Sequence, residues 1–109
     1  MDLYNDILGL MEQLTKSIAV LKQNGVKLAE AERDYKITLR TEALRLKTEG
    51  LPVTLINQII FGVDVVAQKR FARDVAEATY NANQEHINAT KLKIRVLESQ
   101  LNREWGNTK

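Results

Sequence analysis

The chain has 109 residues, 44% of them hydrophobic and 28% charged, with a formal net charge of +2. This composition predicts one folded domain over residues 1–109, and the net charge is too small for a protein dedicated to nucleic acid. The sequence contains no cysteine and one histidine, His86, which excludes disulfides, thiolate ligands and a histidine-rich metal site.

Neither a membrane span nor a secretory signal is recognisable. Every apolar run is far shorter than the ~20 residues that cross a bilayer. The first residues, MDLYNDILGLMEQ, carry acids where a secretory signal carries bases. We expect a cytoplasmic protein that makes no contact with membranes.

The N-terminal half repeats apolar residues at heptad spacing, which is typical of a helix packed along a seam. The first stripe comprises Ile7, Leu14, Leu21, Leu28 and Tyr35. A companion stripe comprises Leu3, Leu10, Ile18 and Ala31. The pattern continues through Leu39, Ala43 and Leu46, and it predicts a helix over residues 2–49.

Asn24–Gly25 is the weak point of this helix, because Asn-Gly favours a turn. The spacing from Leu21 to Leu28 carries the stripe across the dipeptide in phase. We therefore expect a glycine tolerated within the helix, with a break at this point as the alternative.

The segment EGLPVTLINQIIFGVDVVAQKR, residues 49–70, contains the only proline of the chain. Gly50 favours the left-handed conformation that ends a helix, and Pro52 suits the first turn of a new one. A short helix over 52–61 follows, and Asp64 is a candidate N-cap for a third helix over 64–105. These elements predict an all-α fold: a long antiparallel, coiled-coil-like helical hairpin with a short helix at its tip.

The third helix carries two apolar stripes about 200° apart. One comprises Tyr80, Ile87, Ile94 and Leu101, and the other Val75, Ala82, Ala89 and Val96. A helix in an isolated pair needs one apolar face. The second stripe therefore predicts a homodimer, in which two hairpins form a four-helix bundle, or a higher oligomer.

Two groups of residues near the tip are candidate binding sites. The tip helix offers an apolar surface that either closes the end of the core or contacts a partner protein: Leu55, Ile56, Ile59, Ile60 and Phe61. A basic flank could contact a phosphate backbone: Arg40, Arg45, Lys47, Lys69, Arg70 and Arg73. Acidic residues interspersed with these bases weaken the second interpretation.

Motifs that carry catalysis or bind phosphate are not present: we find no glycine-rich phosphate loop, no GxSxG and no HExxH. We therefore predict a non-enzymatic protein with no catalytic residues, no cofactor and no metal site.

Four short motifs follow one another between residues 28 and 105: AERDY, G-x-P-x-T-x-I, A-x-x-x-x-x-RD-x-A and REW. In this order they resemble a group of small, functionally uncharacterised helical proteins of tailed phages of Gram-positive bacteria. The resemblance implies a gene among early replication and recombination genes, and action in the host cytoplasm. We expect an accessory protein that contacts replication or recombination proteins. The alternatives are a DNA-binding accessory protein and an inhibitor of a host or defence protein.

Overall fold

The computed structural model describes residues 2–107. It contains three α-helices: α1 (Leu3–Thr48), α2 (Val53–Ile59) and α3 (Asp64–Asn107). One turn of 3-10 helix, Ile60–Gly62, follows α2. No strand occurs between residues 2 and 107. The predicted all-α helical hairpin, with two long helices and a short one between them in the chain, is confirmed.

The chain divides into two compact units. The first comprises the described residues up to Gln23 and from Asn81 onwards, and the second is Asn24–Tyr80. Both units contain a part of α1 and a part of α3, which run in opposite directions. In the first, the side-chain amide of Asn83 donates to the carbonyl of Ser17 at 3.3 Å. In the second, Tyr35 contacts Arg73 while Gly25 lies beside Tyr80.

The core of the first unit is a single seam between its two helical segments. Its buried residues are Leu3, Ile7, Ile87, Thr90 and Ile94. The predicted companion stripe of α1 needs one correction, because Ile18 is exposed and Ser17 lies half-buried in its place. The reason is helical phase: Ser17, seven residues after Leu10, faces α3, whereas Ile18 is turned about 100° away.

The core of the second unit forms where the short helix packs against both long ones. It comprises Tyr35, Leu46, Ile56, Ile60 and Val66. Leu39, Ala43, Leu51 and Val63 pack around it. The short helix thus closes this core.

Helix α1 ends in a glycine-dependent cap. Gly50 has a φ of +93°, which residues with a Cβ rarely adopt. The N–H of Leu51 donates to the carbonyl of Leu46 at 3.2 Å, and that of Gly50 to Lys47 at 3.0 Å. This pair of bonds is a Schellman motif, with Leu51 packing on the core as its hydrophobic partner.

Helix α1 continues without a break through Asn24–Gly25, so the alternative of a turn there is excluded. Gly25 is half-buried beside Tyr80 in the second unit. The glycine provides room for an aromatic ring at the seam.

Candidate functional site: an apolar tip and a basic flank

The tip segment, residues 50–63, has both a core side and an exposed side. Ile56 and Ile60 lie in the core and are each 5% exposed, so the prediction that they belong to the contact surface is wrong. Leu55 and Ile59 are 39% exposed and Phe61 is 46% exposed. Spacings of four residues put Ile56 and Ile60 on one side of the segment, and Leu55 and Ile59 on another. The exposed side remains the candidate contact surface.

The exposed side of the tip segment is uncharged, and beside its apolar residues it exposes the polar side chains of Thr54, Asn57 and Gln58. No ionisable side chain occurs between Glu49 and Asp64. Val53, at the start of α2, adds a further exposed apolar side chain that the sequence analysis did not single out. The guanidinium of Arg70 lies 5.2 Å from the centre of the Phe61 ring, so a cation borders this surface.

Arg45 of the basic flank is held by two carboxylates of its own helix. It bonds Glu42 at 2.8 Å and Glu49 at 2.9 Å. The hydrogen bond to Glu42 is the main cause of a raised pKa for Arg45, and the charge of Glu49 adds to it. This cation is therefore already paired within the chain.

Arg73 is engaged in the same way. Its Nε and Nη2 atoms donate to one carboxylate oxygen of Asp74, at 3.1 and 2.9 Å. This hydrogen bonding is the main cause of a raised pKa for Arg73. The guanidinium carbon also lies 4.7 Å from the ring centre of buried Tyr35. Arg73 thus occupies a position in the seam between α1 and α3.

The other cations of the basic flank are Arg40, Lys47 and Lys69. These three residues form no salt bridge within residues 2–107. Acidic or aromatic side chains therefore contact the arginines 45, 70 and 73. The set of flank cations outside these contacts is smaller than the sequence predicted.

The predicted second stripe of α3 faces solvent in the single chain. Val75 and Val96 are exposed, and so are the alanines at 82 and 89. Neither unit covers its part of this stripe with its own residues.

A similar apolar row, not predicted from the sequence, lies on α1 in the first unit. Tyr4, Leu8, Met11 and Ile18 are all exposed. Their separations of four, three and seven residues place them on one side of the helix. The heptad spacing of apolar residues that indicates the seam also indicates this row.

A shallow apolar groove of about 390 Å³ lies on the first unit. It is lined by Leu10 of α1 and by Leu92, Lys93, Val96 and Leu97 of α3. Val96, from the exposed stripe of α3, forms part of its wall. The groove is a second apolar surface, separate from the tip segment.

No group of three or more ligating side chains able to hold a metal ion occurs within the described part of the chain. None of the helices over residues 2–107 has the length and apolar character needed to cross a bilayer. No protein-family model matches the chain, and neither the curated proteins nor the solved structures contain a match.

Proposed function

We propose that this protein is a non-enzymatic phage accessory protein that acts through protein–protein contact in the host cytoplasm. The association with phages rests on the sequence resemblance described above. The mode of action rests on the tip segment. Its partner belongs, on this proposal, to the replication, recombination or defence proteins of the phage or its host.

The observation that carries the proposal is the exposed apolar side of the tip segment. Ile56 and Ile60 already close the core of the second unit, so Leu55, Ile59 and Phe61 are not needed to cover it. Burying each of them against a partner would contribute on the order of 1 kcal/mol. Exposed apolar side chains with uncharged polar side chains and one cation beside them have the composition of a small interface core and its polar rim.

Nucleic-acid binding is the second candidate, and the arrangement of the basic flank favours it less. Arg45 and Arg73 neutralise carboxylates of their own chain. A phosphate that bound these arginines would have to displace the carboxylates, so each new ion pair would replace an existing one within the chain. Counterion release needs several free cations along one surface.

We further propose that the protein works as a homodimer in which two hairpins combine their four long helices. The exposed stripe of α3 and the exposed row of α1 support this arrangement, because each gives a long helix a second apolar side. A single hairpin uses only one side of each helix.

A co-purification experiment tests the contact surface. The tagged chain is expressed together with the replication and recombination proteins encoded beside its gene, and separately in host cells. The tip variant L55S/I59S/F61S should lose a captured protein. The control variant I37S/L44S, which alters two exposed side chains of α1 in the same unit, should retain it.

Circular dichroism melting of both variants establishes that each is folded. Equal capture by the tip variant and the natural chain would overturn the assignment of the tip segment. Capture lost equally in both variants would also contradict it, since the contact would then not depend on the tip.

A further inference from the structure

In the first unit, α3 carries a heptad stripe on a side that does not face α1. It shares Ala89 and Val96 with the exposed stripe of α3 described above and contains four further residues. Its positions alternate by four and three residues: Glu85, Ala89, Leu92, Val96, Ser99 and Arg103. All six residues are exposed. Ile87 and Ile94 of the same helix are buried in the seam with α1, so the stripe is a separate surface.

We propose that this stripe binds the same stripe of a second copy of the chain, antiparallel, around a two-fold axis close to residue 94. In antiparallel heptad packing, a residue of one helix pairs with the residue of the other helix that lies equally far from the axis on its opposite side, and each such pair forms a layer. Three layers result, each occurring twice by symmetry: Glu85 with Arg103, Ala89 with Ser99, and Leu92 with Val96 of the second copy. The contact is isologous and closes on itself, as a two-fold dimer requires.

The charges at the two ends of the stripe determine the antiparallel direction. The stripe begins with an acid, Glu85, and ends with a base, Arg103. Neither forms a salt bridge within the described residues. Antiparallel packing pairs the acid of each copy with the base of the other. Parallel packing would place like charges together at both ends, which is destabilising.

The middle of the stripe supplies the apolar contact. Leu92 is 58% exposed and Val96 is 55% exposed, and both line the groove of about 390 Å³ beside Leu10. Leu92 of the second copy would enter this groove next to Val96. The small side chains of Ala89 and Ser99 on either side allow the two helices to approach closely.

Lys93 lies at the edge of the groove and close to the proposed axis. Asp6 lines the adjacent groove, which shares Leu10 and Leu97 with the first one. The same region of the first unit therefore carries a carboxylate as well as the lysine near the axis.

This inference rests on the homodimer proposed above and adds its surface, direction and register. It does not depend on the tip segment. The test must therefore separate three outcomes: no dimer, a dimer through this stripe, and a dimer through another surface.

Light scattering first gives the mass of the natural chain at micromolar concentration. Because the sequence has no cysteine, A89C and S99C each carry a single thiol. The proposed layer brings residue 89 of one copy to residue 99 of the other, within reach of a disulfide after small backbone adjustment. With diamide as oxidant, a mixture of the two variants should form a crosslinked dimer, and each variant alone should form little.

A control cysteine at Met11, in the exposed row of α1, should also remain uncrosslinked. A monomer mass would overturn both the homodimer and the register. A dimer mass without crosslinking specific to the mixture would overturn the register alone. A dimer that crosslinks through M11C would assign the contact to α1 and overturn the use of this stripe.

Charge exchange gives an independent measurement. E85R and R103E each replace two attractive layers with repulsive ones, so the dissociation constant of either variant alone should rise on the order of tenfold. Mixing E85R with R103E should restore the natural affinity, because each arginine then meets a glutamate. The double variant E85R/R103E should also restore it. Failure of both restorations would contradict the proposed layers.

Discussion

The ring of Tyr80 packs against the backbone of Gly25. A Cβ added at residue 25 would lie 3.3 Å from Cε1 of Tyr80, which is closer than ordinary van der Waals contact. Glycine inside a helix costs about 1 kcal/mol relative to alanine. Helix α1 is nevertheless continuous here, and the Tyr80 ring occupies part of the space beside a Cβ added at residue 25.

This relationship predicts a coupling between the two residues. In a Tyr80→Ala background, Gly25→Ala should raise the free energy of unfolding by about 1 kcal/mol, because only helix propensity then changes. In the natural chain the gain should be smaller, since the ring must shift to admit the Cβ. Thermal unfolding by circular dichroism at one protein concentration measures all four variants. Equal gains in both backgrounds would show that the contact has no energetic weight.

Gly50 should be more sensitive to substitution than Gly62. Gly50→Ala forces a Cβ into a left-handed conformation and should cost about 1 kcal/mol. Gly62 has neither a positive φ nor an atom within 4 Å of an added Cβ, so Gly62→Ala serves as the control. Urea unfolding of both variants tests the prediction. A loss for Gly62→Ala as large as that for Gly50→Ala would refute the explanation from backbone conformation.

Val65 and Val66 are adjacent in α3 and form a matched pair for the second core. Val66 is fully buried and Val65 is 39% exposed. Val66→Ala should lower the free energy of unfolding by about 2 kcal/mol through lost burial and a cavity. Val65→Ala should change it far less. The reverse order in denaturant midpoints would mean that the short helix does not pack on Val66 as described.

Apolar periodicity predicted the long helices because it reports directly on which side of a helix is buried. It failed where polar side chains occupy the seam. Asn83 donates to the carbonyl of Ser17, and the hydroxyl of Thr90 donates to the carbonyl of His86. These bonds satisfy polar groups at the seam, but hydropathy assigns such residues to the surface.

The tip segment shows a second limit of sequence analysis. The short helix carries apolar side chains over a wide arc, so the sequence does not indicate which of them face the core. The arrangement of the long helices buries Ile56 and Ile60 and leaves Leu55 and Ile59 outside. Similarly, the sequence predicted one flank of six cations. In the structure, carboxylates or an aromatic ring contact three of them: Arg45, Arg70 and Arg73.

Arg73 should stabilise the second unit through its planar guanidinium. Arg73→Lys keeps the charge but loses the paired donation to Asp74 and the stacking on Tyr35, so the Tm should fall by a few degrees. Arg70→Lys is the control, because Phe61 is exposed and the effect there should be smaller.

Because the pKa of Arg73 is raised, its contribution to stability is fully present below its ordinary pKa and is lost only as pH rises through the folded value. The difference between the two variants should therefore stay constant across neutral pH, and a difference that disappears between pH 6 and 8 would contradict this account.

A gel-shift experiment decides between the two proposed functions. Because the arginines 45 and 73 are paired within the chain, we expect no retardation of single-stranded or duplex DNA at about 0.15 M salt. At low salt, the variant K47E/K69E in the basic flank should behave like K22E/K91E, a control with the same change of charge elsewhere. Retardation at about 0.15 M salt that weakens steadily with added salt, disappears in K47E/K69E and persists in K22E/K91E would assign the function to the basic flank. Protein contact through the tip segment would then no longer be the preferred proposal.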